Sequence, residues 1–340
     1  MALTLFYHPI FLLHLTGGVH PERPERLTAT RKLLEESGLL NHLKELEPRP
    51  AKEDELQRVH AKEHIDRVRV TAQEGGGYLD SDTVVSFSSY EAASRAAGAA
   101  VSAVDEVVQE GNDVFCLVRP PGHHATSDRG MGFCLFNNLA VGAAYSLSEK
   151  KHSRILIIDW DAHHGNGLQE IFYGDRRVLY VSLHQSPLYP GSGSIREVGS
   201  GEGKGYNINI PFPPRTGEES YLKAFSQIIV PAAREYDPEL IMIAAGYDGH
   251  FADHIASLAL RATSYARMIA LLKSEFALPF VVSLEGGYHL TALAQSVAAT
   301  ISELAEVPYH FEEQAPPEDK EDPLRLIEEV KKVQRKYWPL

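Results

Sequence analysis

A chain of 340 residues, 44% hydrophobic and 23% charged, can bury a large core as one large α/β domain or as two smaller ones. A formal net charge of −13 argues against broad phosphate-backbone binding, so no nucleic-acid partner is expected. Cys116 and Cys134 are the only cysteines, which excludes a disulfide framework and a cysteine-based zinc module. No apolar run approaches the roughly 18 residues of a membrane span and the N-terminus carries no signal-peptide pattern, so a cytoplasmic enzyme without a membrane partner is the expectation.

In chain order, residues 4–7 read as a short strand, followed by a polar loop with His14, Gly17, Gly18 and the stretch 20–26. A helix is predicted over 27–37, stopped by Gly38, and residues 52–74 are helical in composition up to Gly75–Gly77. Residues 78–87 read as a loop carrying Asp80 and Asp82. Ser88 and Glu91 form a capping-box pattern ahead of a long helix ending at Gly111, on which Ala93, Ala97, Ala100, Val104 and Val108 make a core-facing stripe. Further strands are predicted at 114–118, 155–158, 178–183, 240–245 and 280–284. Helices are predicted at about 139–150, 167–173, 218–235, 257–276 and 290–305. The segments 186–193 and 199–205 read as irregular, and a Pro- and acid-rich stretch at 312–324 runs into a charged helix over 323–336.

Strands separated by helices imply crossover units, hence one α/β domain with a mostly parallel sheet and helices on both faces. Nothing in the chain reads as an internal repeat or an interdomain linker. The domain is placed at 1–310, with 311–340 an extension packed on it. Polar clusters recur where strands end, at 119–124, 159–166, 246–250 and 285–289, and such ends share one edge of a parallel sheet.

The run 155–158 is continuously apolar and polarity changes at Asp159, after which Asp159, Asp161 and His163 alternate. In extended backbone these three share a face, and two carboxylates with an imidazole make most of a divalent metal site. Asp161 and His163 are two candidate ligands, and Asp248, after another buried strand, is the third. Three protein ligands leave room for water and substrate; mixed oxygen and nitrogen donors fit Zn(II), with Fe(II), Co(II) and Mn(II) also accommodated. His123 and His124 follow Pro-Pro-Gly and suit proton transfer, with Asp159 and Asn166 as orienting partners. His164 should leave the metal face, for a role supporting the ligands from behind or a structural one, not ligation. Tyr288, on a flexible Gly286–Gly287 mount, can donate to a developing oxyanion.

Pro-Pro-Gly-His-His-Ala, Gly-Phe-Cys-x-Phe-Asn-Asn, Asp-Trp-Asp-Ala-His-His-Gly-Asn-Gly, Pro-Gly-Ser-Gly and Glu-Gly-Gly-Tyr occur in that order, spanning about residues 8–306. This set resembles the metal-dependent histone deacetylase family, which includes acetylpolyamine amidohydrolases and acetoin-utilisation proteins. The resemblance implies the arginase/deacetylase fold, an eight-stranded parallel sheet, and zinc-dependent amide hydrolysis. By motif position, Asp161, His163 and Asp248 resemble the zinc ligands, His123 and His124 the catalytic pair with Asp159 as partner of His123, and Tyr288 the oxyanion donor. Asn166 is similar to the bacterial and class II branches. Phe133 and Tyr189 resemble the walls of an acyl-lysine tunnel, Gly132 a backbone acceptor, and Asp82 the rim acid. Asp159, Asp161, His163 and Ser182 match a structural potassium site. The chain departs from the family pattern at His254, where Pro is usual, and two further features bear on substrate: aliphatic Ile255 at the gatekeeper position gives no acidic group for a polyamine ammonium, and Tyr189, where Phe is common, makes one tunnel wall more polar. The implied substrate is an acylated lysine peptide or, as the alternative, an acetylated polyamine; a non-catalytic acyl-lysine binding module is the third reading. A homo-oligomer is admitted as an arrangement that would shape the entrance.

Overall fold

The computed structural model describes residues 3–150, 152–314, 316 and 324–340. Among the described residues ten strands form: β1 (Leu3–Phe6), β2 (Leu43–Leu46), β3 (Gly76–Tyr78), β4 (Val84–Ser86), β5 (Val114–Cys116), β6 (Ile155–Asp159), β7 (Val178–Gln185), β8 (Asn207–Phe212), β9 (Leu240–Ala245) and β10 (Phe280–Leu284). Eight of them make one parallel sheet in the order β2-β1-β5-β10-β9-β6-β7-β8, and β3 and β4 pair as a small antiparallel ribbon. Every residue of β5, β6, β9 and β10 is buried. Because successive side chains point to opposite faces, both faces of the sheet centre must be covered, as parallel pairing requires. The helices do this: Ser89–Glu110 packs on Asn138–Tyr145, and Leu290–Ala305 packs on both Glu25–Glu36 and Ala262–Glu275.

The two strands of this sheet missing from the sequence reading, β2 and β8, are its two edges. β2 is half exposed, and Lys44 and Glu45 break its apolar pattern. β8 is interrupted by Asn207 and Asn209, yet it is buried. Its cover is the chain's C-terminal segment: Ile327, Val330 and Trp338 are buried, Gln334 Nε2 donates to Asn207 O at 3.1 Å, and Trp338 Nε1 donates to Gly205 O at 2.8 Å. The Pro- and acid-rich stretch ahead of that helix lies mostly outside the described residues.

Local expectations need some correction. The helical composition of 52–74 resolves into two helices, Glu53–Gln57 and Lys62–Gln73. The loop expected at 78–87 holds the β3–β4 ribbon. Ser88 makes no side-chain cap bond; Ser89 Oγ instead accepts from Ser86 N at 2.7 Å. In the stripe on this helix, Val108 is 46% exposed, one turn beyond the sheet's cover, while Ala93, Ala97, Ala100 and Val104 are buried.

Candidate active site

The four polar clusters emerge from β5, β10, β9 and β6, which are consecutive neighbours at the centre of the sheet. Parallel pairing puts all four C-terminal ends on one edge, so segments distant in sequence meet without long loops. Strand β6 ends at Asp159, and residues 160–165 bend rather than continue extended. The expected alternation of Asp159, Asp161 and His163 therefore does not place their side chains; local hydrogen bonds do. Asp159 Oδ1 accepts from Asp161 N at 3.1 Å, and Asp161 Oδ1 accepts from His163 N at 2.8 Å.

Asp161, His163 and Asp248 offer ligand atoms that all lie within 4.8 Å of one another, and all three residues are buried. His163 Nδ1 lies 3.1 Å from Asp161 Oδ1 and 2.9 Å from Asp248 Oδ2. Main-chain amides hold each carboxylate: Gly286 N donates to Asp161 Oδ2 and Ala162 N to Asp248 Oδ1, both at 2.8 Å. Gly246 and Gly286 leave the space, since a Cβ at either would fall 2.0 or 2.5 Å from Asp161 Oδ2. The donor set suits a dication: two buried carboxylates, one imidazole, and, among the described residues, no Lys or Arg bonded to either acid. Their field attracts positive charge. Burial opposes a charged His163, but Asp248 and Asp161 raise its pKa to about 10. Burial and the charge of Asp161 push Asp248 up to about 6, a repulsion that a bound cation relieves.

His123 and His124 sit beside this cluster with ring centroids 4.0 Å apart, yet in opposite environments. His123 Nδ1 meets Asp159 Oδ2 at 3.1 Å, and its Nε2 is 3.8 Å from Asp161 Oδ2; burial works against its charge, but the two aspartates raise it to about 10. His124 Nδ1 meets Asn166 Oδ1 at 2.8 Å; burial and the neighbouring His123 and His163 hold it well below the usual imidazole range. An amide oxygen only accepts, so Nδ1 of His124 carries the proton and Nε2 is its acceptor.

Tyr288 is fixed by its surroundings, not flexibly mounted. Its amide donates to Asp253 Oδ2 at 2.6 Å, Gly287 O accepts from Arg26 Nε at 2.6 Å, and the Arg26 guanidinium carbon stands 4.9 Å over the phenol ring. Gly287 is needed for its φ of +114°, and Gly286 because a Cβ there would crowd Asp161 and Asp248. Burial pushes the Tyr288 hydroxyl well above the usual phenol range, so it remains a proton donor.

A cavity of about 250 Å³ opens above these groups, lined by His124, His163 and Tyr288 together with Asp82, Gly132, Phe133, Leu188, Tyr189 and Ile255. The proposed tunnel residues thus meet the metal cluster in one pocket. Phe133 and Tyr288 rings make an edge contact at 5.7 Å, and Tyr189 stands edge-on to His124 at 5.2 Å. Gly132 (φ +56°) and Phe133 (φ +69°) both take left-handed backbone, and a Cβ on Gly132 would strike His124 Cδ2 at 2.5 Å. Asp82 is on the exposed rim, where its main-chain oxygen meets His20 Nε2 at 3.0 Å. Ser182 is paired across β6 and β7 with Asp159, and its hydroxyl meets His184 Nδ1 at 2.9 Å. His164 is spent on Ser192 and Gln169, the structural one of the roles expected of it.

Sequence reasoning missed four contributors. Leu188 lines the pocket beside Tyr189. Tyr180 OH donates to Asp159 Oδ2 at 2.9 Å. Fully buried Glu285 accepts from Gly122 N at 2.6 Å and His123 N at 3.0 Å, fixing the loop that carries both histidines. Asp253 accepts from the amides of Ile255, Tyr288 and His289. The Glu285 signal was available, as an acid ending an apolar strand; the other three depend on tertiary contacts.

A family model described as the histone deacetylase domain matches residues 20–304. A protein named probable deacetylase from Archaeoglobus fulgidus is 39% identical over 357 aligned positions, which cover 99% of each chain. The histone deacetylase-like amidohydrolase of Pseudomonas aeruginosa is 36% identical over 294 residues, covering 85% of this chain and 77% of that one. Among solved structures, the crystallised HD domain of HDA15 superposes with a TM-score of 0.92 at 35% identity, over 99% of this chain and 95% of that one.

Proposed function

The chain belongs to the histone deacetylase domain family and is an enzyme of the deacetylase and amidohydrolase kind with a metal-binding triad; on that premise we propose that it is a zinc-dependent hydrolase of N-acyl amides whose substrate is acetyl-lysine in proteins or peptides. The observation that carries this reading is the meeting, at the base of one pocket, of a dication donor set, two adjacent imidazoles held by Asp159 and Asn166, and the Tyr288 phenol. When bound by Asp161, His163 and Asp248, zinc supplies Lewis-acid polarisation of an acyl carbonyl and a lowered pKa for water.

The rest of the chemistry belongs to the chain. Nε2 of His124 accepts the proton of the attacking water, its ring held by the Asn166 bond. His123, anchored on Asp159, stands beside it, and the proton that His124 has taken is then delivered to the leaving amine. Tyr288 donates its hydroxyl to the carbonyl oxygen as that oxygen becomes an oxyanion. Phe133 and Tyr189 flank the methylene stem of the lysine, Gly132 accepts from its acyl N–H, and Asp82 holds the substrate backbone at the rim. Asp159, Asp161, His163 and Ser182 would hold a structural potassium ion. We assign all of this to a catalytic domain of residues 1–310, with 311–340 an extension packed on it.

Acetylated polyamines form the alternative substrate class. Ile255 at the mouth supplies no carboxylate for an ammonium, which favours the lysine reading. A parallel panel of acetyl-lysine peptides, longer acyl-lysine peptides and acetylated polyamines on zinc-loaded enzyme decides: turnover of acetyl-lysine peptides is expected to lead. Absence of amide hydrolysis with zinc, iron or cobalt would overturn the enzyme reading.

A further inference from the structure

A second cavity, of about 420 Å³, lies against the first and shares Ile255 and Tyr288 with it as a common wall. None of the metal ligands or catalytic histidines lines it, and neither does Asp82. Besides the shared Tyr288, its polar lining is Arg23, His254, His289, Thr291 and Asp253.

These groups are mostly donors. Arg23 is loosely tied, 3.9 Å from Glu25, and its side chain is 36% exposed. Its neighbour Glu22 is fully buried and paired with Arg26 and Arg119, so the backbone carrying Arg23 is anchored. His289 Nδ1 accepts from Ala292 N at 3.2 Å as a helix cap, which leaves the proton of the neutral ring on Nε2 as a donor. His254, the residue that departs from the family's Pro, stands with its ring centroid 6.0 Å from that of His289. The one acid, Asp253, is 5% exposed, and its oxygens already accept three main-chain N–H groups, from Ile255, Tyr288 and His289. A guanidinium and two imidazoles, facing a carboxylate whose acceptor capacity is largely used, match an anionic acceptor with planar oxygens.

We propose that this side cavity is a substrate subsite for a carboxylate borne next to the acylated lysine. The inference rests on the acyl-lysine reading of the main pocket and sharpens it. A lysine stem passing between Phe133 and Tyr189 brings its α-carbon to the rim, where Asp82 takes a main-chain N–H and the cavity beyond Ile255 takes a carboxylate. Two sources supply that chemistry: the α-carboxylate of a free or C-terminal acyl-lysine, and the side chain of an adjacent Glu or Asp. An ammonium in the same place would meet Arg23, which disfavours polyamines.

The test uses full-length zinc-loaded enzyme and two matched substrate pairs. One pair is Nα-capped Nε-acetyl-lysine as free acid and as amide; the other is an acetyl-lysine peptide followed by Glu or by Gln. The carboxylate member of at least one pair should be preferred about fivefold in kcat/KM, the worth of one partly exposed charge pair, with the preference shrinking as salt rises. The pair showing it identifies the source. Arg23→Gln should reduce the ratio to near one, and Arg23→Glu should invert it, with melting temperatures unchanged. Equal rates within both pairs, or an undiminished preference in Arg23→Gln, overturn the subsite. If no substrate is hydrolysed, the activity assignment fails separately, and dissociation constants of the same pairs by calorimetry decide the subsite: a preference lost in Arg23→Gln supports it, and no preference overturns it.

Discussion

Gly286→Ala tests whether the path of the chain sets the metal geometry. Gly286 does not need a left-handed φ, so alanine is tolerable there as backbone and only its methyl matters. That methyl would lie 2.5 Å from Asp161 Oδ2 and 2.6 Å from Asp248 Oδ2, whereas ordinary contact begins at 3.4 Å. The two oxygens must therefore withdraw by about 0.9 and 0.8 Å, several times the roughly 0.2 Å tolerance of a metal–ligand distance. Neither can swing away cheaply, because Gly286 N holds one carboxylate and Ala162 N the other. Overpacking of this kind costs about 1–3 kcal/mol, and disturbing groups that orient ligands typically weakens metal affinity about 10–100-fold. Zinc affinity, read by competition with a chelator, should fall by that factor together with amidase activity. Gly287→Ala is the control: it strains a φ of +114° and should displace Tyr288, lowering kcat while zinc affinity stays near wild type. Wild-type zinc affinity in a folded Gly286→Ala enzyme would refute the reasoning.

Asp161→Ala and Asp248→Ala should each abolish stoichiometric zinc and activity together; a metal analysis beside a rate assay checks this. Tyr288→Phe should lower kcat by about 10²–10³ with zinc retained and substrate affinity little changed, and an unaltered rate would remove the oxyanion role. Ile255→Glu should raise kcat/KM for acetylated polyamines relative to neutral acetyl-lysine peptides, by an amount on the order of 1 kcal/mol in the ratio. Burial pushes Glu285 up to about 7, against the lowering influence of His123 and the amides of Gly122 and His123. Between its unfolded value near 4.5 and about 7 the unfolded chain loses this proton first, so the carboxyl's contribution to stability falls as pH rises through that window. Chemical denaturation of wild type and Glu285→Gln at pH 5 and pH 8 should therefore show the variant gaining relative stability at the higher pH.

The centre of the sheet was legible because strands buried on both faces read as unbroken apolar runs, as in Ile155–Ile158 and Leu240–Ala245. Its edges were not, since β2 and β8 carry polar residues whose burial is decided elsewhere, in β8 by Trp338 more than a hundred residues later. The site followed the same division. Residues at the ends of central strands could be grouped from topology alone. What failed was local geometry: Asp161 and His163 converge through bends after Asp159, and Gly286–Gly287 is rigid because carboxylates and Arg26 crowd it. Asp253 and Leu188 reach the pocket from loops whose course no periodicity encodes.

Main-chain amides hold the ligand carboxylates, and this separates two things that could have been entangled. An amide cannot be mutated away, so drift in neighbouring side chains leaves Asp161 and Asp248 aimed as before, provided a few glycines persist. The mouth is built differently, from the side chains of Tyr189 and Ile255, with His254 on the adjoining cavity, all on loops outside that amide cradle. Exchange of those residues can therefore explore new acyl donors while the reaction centre is inherited intact, and the departures from the family pattern at His254 and Ile255 fall where such exploration is cheapest.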